Sequence, residues 1–537
     1  MEENSQLEIG YVVEVNGERV LIELTVDTTR PLLGAYYPGQ LGSYVKIPSL
    51  NQGVIGIVTS VKMEDKPGRG VCRAAECVLL GTLTRAGRFF RGVSVYPNIG
   101  QVVQMVTSEE LNIIFSEFIE FGFSFASSSS AVGQRVYVQV DKFFGQHIAV
   151  LGTTGSGKSC TVVSVLQQAI KRYPNTHIVV LDLHGEYAAA FPQQVNLINA
   201  ENLELPYWLL NFDEFVELCI DMNEPTAKNQ ITVLHDSLIR SRQAWNTRER
   251  LNLGSLITAD SPVYFDLDEM VAMIRDWNIQ VVYDHAGKQE PGPLYGVFDR
   301  FLIRLDSKLS DPRYDFMFKP SRYNSSATLA ELLRNYLAID APHRMTIVDL
   351  SGIPADVVGV VVAVLTRLVF EFNLWNQERN RTPLLLVLEE AHNYVPRKFD
   401  FRFTAARSAV ERVIKEGRKY GIGMIVISQR PAELSETVLS QCNTFIVLRL
   451  TNPDDQNYVR RLVPDALAGL LNMLPALRTG EAVILGEAVA LPMRIMIDLP
   501  DPKPMSGEVD FARWWTSGPG AIDFDRIISR WRARRRD

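Results

Sequence analysis

The sequence predicts an α/β core with a helical insertion, preceded by an all-β barrel. Three observations predict it. The first hundred residues hold short, alternating apolar runs separated by Gly, Pro and Ser. From His147 the runs become continuous, four to eight residues long, with helical stretches between most of them. A Gly-rich loop joins the first of these runs to a helix. Alternation suits strands with one wet face, and continuous apolar runs suit parallel strands buried on both faces.

The barrel is expected over residues 1–100. Ile9 to Val15 and Val20 to Val26 flank Asn16-Gly17, a hairpin signal because both turn positions favour positive φ. Tyr44 to Ile47, Val54 to Val61 and Cys77 to Thr84 continue the strand pattern at the spacing of a small barrel. A linker over 101–135 follows, ending near the polar stretch Ser127 to Ser130.

The α/β core is expected over 136–500. Its strands are Ile148 to Leu151, His177 to Leu183, Met345 to Leu350, Leu384 to Leu388, Met424 to Ser428 and Thr444 to Leu450. The interval of about 196–342 is too long for one crossover. Its amphipathic segments Ala227 to Trp245, Asp266 to Trp277 and Tyr295 to Ser310 predict a mostly helical insertion. The last stretch, 501–537, is an Arg-rich tail with Arg526, Arg530, Arg532, Arg534, Arg535 and Arg536.

Charge and cysteine content narrow the function classes. A net charge of −7 and a pI near 5.7 argue against a protein that coats nucleic acid through bulk positive charge. A ring or channel with a locally basic lining stays compatible, because the field that matters is local. Five cysteines, an odd count, imply no disulfide framework. Cys72 and Cys77 have no second Cys/His pair after them, so a four-ligand zinc site is not expected. The start, Met1 to Ser5, lacks a signal-peptide pattern, and the longest apolar run is Val357 to Leu365. That run is short of the roughly 18 residues that span a bilayer. A cytoplasmic protein without a membrane partner is expected.

The chemistry begins at Gly152-Thr153-Thr154-Gly155-Ser156-Gly157-Lys158-Ser159, a complete G-x-x-x-x-G-K-[ST] P-loop. It follows a predicted strand and opens the helical run that starts at Cys160, the context the motif requires. Backbone N–H groups and the helix N-terminus attract phosphate. Lys158 is expected on the β- and γ-phosphates of ATP, and Ser159 on Mg²⁺. Leu384 to Leu388 ends in Glu389-Glu390, a Walker B form. Glu389 is expected to support Mg²⁺ through water, and Glu390 to act as general base on the attacking water. The intervening strand Met345 to Leu350 fits ATPases of the additional-strand, catalytic-Glu type. Asp182, in Asp182-Leu183-His184-Gly185-Glu186-Tyr187, stands at a strand's carboxyl end, where it faces a nucleotide crevice. Gln429 ends another strand and suits a γ-phosphate sensor. Arg418 ends a helix, where a cation is also favoured by the dipole alone.

Together with DLHGEY, LPYWLLNFDEF (Leu205 to Phe215), DLSGIP (Asp349 to Pro354), EEAHNYVP (Glu389 to Pro396), EGRKYG and SQRP, the P-loop resembles the HerA helicase–translocases, relatives of FtsK and the conjugative coupling ATPases. The resemblance covers nearly the whole chain. It implies a RecA-like ATPase core, an N-terminal barrel of the HAS type, and a homo-hexameric ring acting on double-stranded DNA. It also implies Gln429 as sensor and Arg418 as an arginine finger into the neighbouring subunit. The implied partner is a NurA-like nuclease in end processing, or a sirtuin-like or nuclease effector in anti-phage defence. The family often carries an arginine just before the first core strand, reaching the nucleotide in cis; Gln146 stands there. The competing function is an ATP-binding ring scaffold that organises an effector with little translocation. A membrane coupling ATPase is disfavoured by the apolar pattern, and a DEAH-box helicase by the short chain after Glu390.

Overall fold

Residues that alternate between apolar and polar in the first hundred positions pair into a closed barrel, seen in a computed structural model of the chain. It describes residues 8–533 apart from 28–38, 50–51, 67–69, 121, 131–132, 194, 284, 286, 508 and 519. The barrel strands are β1 (Glu8–Asn16), β2 (Arg19–Leu24), β3 (Tyr44–Ser49), β4 (Gln52–Lys66), β5 (Gly70–Thr84), β6 (Phe89–Arg91) and β7 (Val102–Met105). Their order is β2-β1-β7-β3-β4-β5-β6, and a β2–β5 pairing closes the ring. Closure removes the exposed edges that an open sheet leaves. Inward residues such as Ile9, Val12, Ile22, Val45, Val54, Val58 and Val103 fill the interior.

Two expectations shift here. Asn16 pairs with Arg19, so the hairpin loop is Gly17-Glu18, one residue later than Asn16-Gly17, with the positive φ (54°) at Gly17. The span 101–135 also holds regular structure where a linker was expected. It carries β7, helix α1 (Ser108–Glu120) and β8 (Gly122–Ser128). Strand β7 is only four residues long and finds its partners, β1 and β3, far away in sequence. Local pattern cannot show such a pairing. Cys72 and Cys77 lie five residues apart on β5, and side chains alternate along a strand, so the two face opposite sides.

The chain continues through β9 (Arg135–Gln139), β10 (Ile148–Leu151), α2 (Lys158–Arg172), β11 (Ile178–Asp182) and β12 (Val195–Ile198). The insertion follows, with a short hairpin of β13 (Val281–Tyr283) and β14 (Gln289–Pro291) among its helices. Then come β15 (Met345–Asp349), α3 (Ala355–Trp375), β16 (Leu384–Leu388), α4 (Thr404–Glu416), β17 (Ile422–Ser428), β18 (Thr444–Leu448), β19 (Glu481–Gly486) and β20 (Met493–Ile497). All six expected core strands are present.

These elements form two compact units, residues 1–175 with 423–506 and residues 176–422 with 507–537. In the first, the strand order is β17-β10-β18-β19-β20-β8-β9. Strand β10 runs parallel to β17 and β18, and every one of its residues is buried. The barrel belongs to this same unit. Tyr44 Oη donates to the Pro492 carbonyl (2.7 Å), Arg19 Nη2 to the Asp465 carbonyl (2.9 Å), and Arg91 pairs with Glu487 (3.6 Å).

The second unit has strand order β12-β15-β11-β16, all parallel. Strand β12 falls inside the span read as insertion, and the helices begin only after it. Those helices include Phe212–Cys219, Ala227–Glu249, Leu267–Ile279, Asp299–Leu309 and Leu329–Leu337. Helix α3 extends well past the apolar run Val357 to Leu365. Its most apolar window has a mean hydropathy of 2.0, and 83% of that window is buried inside the protein. Its apolarity is that of a core helix. In the tail, Arg526, Arg530 and Arg532 lie on the helix Phe524–Ala533, and Arg534, Arg535 and Arg536 lie outside the described residues.

Candidate active site

The P-loop forms because its glycines take conformations that side chains resist. Gly155 and Gly157 have φ of 71° and 102°. A Cβ on Gly152 would meet Ser156 Oγ at 2.6 Å and Leu448 Cβ at 2.9 Å. The loop is anchored at both neighbours of β10: Gly152 N donates to the Ser428 carbonyl (3.3 Å) and Thr153 N to the Arg449 carbonyl (2.9 Å). The Thr153 carbonyl accepts from Ser156 Oγ (2.6 Å) and from the buried Lys158 Nζ (3.2 Å). Lys158 and Ser159 open α2, so the helix dipole adds to the lysine charge. Beside the loop, Thr154 Oγ1 donates to Gln429 Oε1 at the tip of β17. The expected sensor and the P-loop are thus brought together. The strands next to the P-loop strand are β17 and β18, whereas β15 lies between β11 and β12.

In the second unit, acids crowd the carboxyl ends of β11, β15 and β16. Asp182 is fully buried. Its carboxylate accepts from His184 N (3.2 Å), Gly185 N (2.8 Å) and Tyr187 N (3.0 Å). Glu389 is buried too, and its Oε2 accepts from Leu183 N (2.9 Å) and His184 N (3.3 Å). Burial, then the charge of Asp182 and a hydrogen bond to it, push the Glu389 carboxyl up to about 10. Through those two backbone bonds Glu389 ties down the loop after β11. Glu390, also buried, has φ of 45°, a left-handed conformation that is uncommon for a side-chain-bearing residue. Such strain costs on the order of 1–3 kcal/mol and clusters at functional sites. Its Oε2 lies 3.4 Å from His392 Nδ1.

Arg418 is exposed on the turn Gly417–Tyr420, before the amino end of β17, while Gln429 follows the carboxyl end. Gln146 sits at the amino end of β10, and the P-loop leaves the other end. Its carbonyl accepts from Asn443 N (3.3 Å), and its Oε1 is buried without a partner among the described residues. The position expected to matter for the nucleotide is therefore at the far end of the strand. Among the described residues, no group of three or more His, Cys, Asp or Glu is arranged to hold a metal. A hard oxygen donor such as the Ser159 hydroxyl suits Mg²⁺, whose other ligands are phosphate and water.

Comparison with known proteins agrees with this geometry. The family described as helicase HerA, central domain, matches residues 119–369. The DNA double-strand break repair helicase HerA of Sulfurisphaera tokodaii is 27% identical over 452 residues, covering 81% of this chain and 80% of that protein. Its counterpart from Saccharolobus solfataricus is 24% identical over 535 residues, covering 94% and 95%. Over most of its length the chain is similar to the HerA helicases. Among solved structures, VirB4 of Thermoanaerobacter pseudethanolicus is 18% identical with a TM-score of 0.46, covering 70% of this chain and 96% of that one.

Sequence reading missed one part of the site. The turn before β19 reaches the P-loop: Gly480 N donates to the Ser156 carbonyl (3.0 Å) and Thr479 Oγ1 to the Gly155 carbonyl (3.4 Å). Its only local signal is Thr479-Gly480 ahead of an apolar run.

Proposed function

We propose that this chain is an ATP-driven translocase of double-stranded DNA that works as a homo-hexameric ring in the cytoplasm. It delivers DNA to an effector, either a NurA-like nuclease in end processing or a sirtuin-like or nuclease effector in anti-phage defence. The observation that carries the reading is the complete P-loop on a buried parallel strand, with Gln429 bonded to Thr154, in a chain related to DNA repair helicases. Gly152 to Ser159 and the start of α2 at Cys160 cradle the phosphates, and Lys158 neutralises them. Ser159 and, through water, Glu389 would hold Mg²⁺, which would supply charge neutralisation on the phosphates. Asp182 fixes the loop after β11, and Glu390 takes the proton of the attacking water. Gln429 reads the γ-phosphate. Arg418, exposed, reaches the neighbouring subunit's site in a head-to-tail ring.

The test is ATPase activity with and without double-stranded DNA across a salt series. Phosphate contacts release counterions, so stimulation should fall by orders of magnitude over a modest salt range. Absent or salt-independent stimulation rejects translocation and leaves a ring scaffold.

A further inference from the structure

The turn behind the P-loop is held by a buried carboxylate that the reaction does not otherwise use. Glu481 is fully buried at the start of β19. Its Oε1 accepts from Arg494 Nε (2.6 Å), and its Oε2 accepts from Arg478 N (3.1 Å) and Arg478 Nε (3.4 Å). Glu481 N in turn donates to the Arg478 carbonyl (3.0 Å), and Ile497 N to the Gly480 carbonyl (2.9 Å). The turn Arg478-Thr479-Gly480 is thus fixed from both sides, with Gly480 at φ of 77°. A Cβ on Gly157 would meet Gly480 N at 3.2 Å. The turn therefore lies directly against the P-loop.

In a trans peptide the carbonyl and the following N–H point opposite ways. Holding the Ser156 carbonyl on Gly480 fixes the direction of the Gly157 N–H. Holding the Gly155 carbonyl on Thr479 steadies the next peptide, whose Ser156 N–H donates to the Thr153 carbonyl (3.2 Å). A P-loop binds phosphate through such N–H groups, so their orientation before the ligand arrives sets the cost of binding. We infer that Glu481 is a positioning residue for the nucleotide phosphates, acting through the 478–480 turn on the P-loop. This rests on the reading of the P-loop as the ATP site. Burial raises the carboxyl, but the hydrogen bonds from Arg494 and Arg478 outweigh it and hold it down at about 2. The charge that locks the turn is present throughout the neutral range.

The experiment measures binding of a fluorescent ATP analogue and steady-state ATPase on the full-length chain and on Glu481→Gln and Thr479→Val. The amide turns a donor toward the two arginines and loosens the turn. Glu481→Gln should raise KM for ATP and Kd for the analogue about tenfold, with kcat within about threefold of the parent. Thr479→Val removes an exposed hydroxyl without disturbing the core, and should shift the same two constants by a few-fold. If the parent chain fails to bind the analogue, the P-loop reading itself falls. If the parent binds and Thr479→Val matches it in KM and Kd, the positioning role falls, whether or not Glu481→Gln folds. A folded Glu481→Gln that loses kcat at unchanged KM also overturns it.

Discussion

The P-loop and the acid-rich strand ends handle charge in opposite ways. Around Lys158, loop carbonyls are satisfied by hydroxyls, backbone N–H groups and one ammonium, in a site built to receive negative charge. Around Glu389, Asp182 and Glu390 are buried within the same unit, in a site that already holds more negative charge than burial favours. The first stores attraction for phosphate, and the second stores repulsion between carboxylates. A buried carboxyl raised like that of Glu389 marks a candidate functional site. The contrast teaches that binding and hydrolysis should separate cleanly under mutation.

The largest expected effect breaks the binding side. Lys158→Ala removes the fixed cation and should leave no more than about a tenth of ATP turnover. A variant that keeps more than that contradicts the P-loop assignment. Mixing it with Arg418→Ala, whose finger is expected to be worth roughly 10³–10⁵ in rate, should restore turnover if the finger acts between subunits. Controls that mix each variant with wild type show how many dead subunits a ring tolerates. If rings tolerate several and the variant mixture stays silent, Arg418 is only a helix-end cation.

Next, Glu390→Gln sharpens the hydrolysis side. The amide cannot accept a proton from water, so single-turnover hydrolysis should slow by roughly 10²–10⁴ while nucleotide binding persists. Loss of binding, or normal turnover, would remove Glu390 from the role of base.

The smallest effect concerns stability in the acid-rich unit. Glu217 Oε2 accepts from Ala405 N (2.7 Å) at the start of α4. Burial, opposed by the Ala405 hydrogen bond and reinforced by Glu214, raises its carboxyl to about 7 from an ordinary 4.5. A raised acid favours the folded state while protonated. That contribution is complete below the ordinary pKa and is lost as pH rises through about 7. The thermal midpoint of the parent should therefore decline from about pH 5 to about pH 8, and Glu217→Gln should flatten that decline by a few degrees. An identical pH profile in both proteins would show that Glu217 titrates normally.

The sequence by itself determined the parts whose residues are neighbours in the chain. The P-loop, the Glu389-Glu390 pair after an apolar strand, and the core strands are local patterns, because turn chemistry and periodicity act over a few residues. Tertiary structure decided what depends on distant partners. Strand β7 closes the barrel only by pairing with β1 and β3. Glu389 anchors the loop after β11 only because β16 lies beside β11. Gln146 lies away from the nucleotide because the P-loop leaves the opposite end of β10. Gly480 meets Ser156 across more than three hundred residues of chain. Hydrogen bonds and burial at such separations depend on which strands become neighbours, and strand neighbours follow from the free energy of the whole core rather than from any one segment.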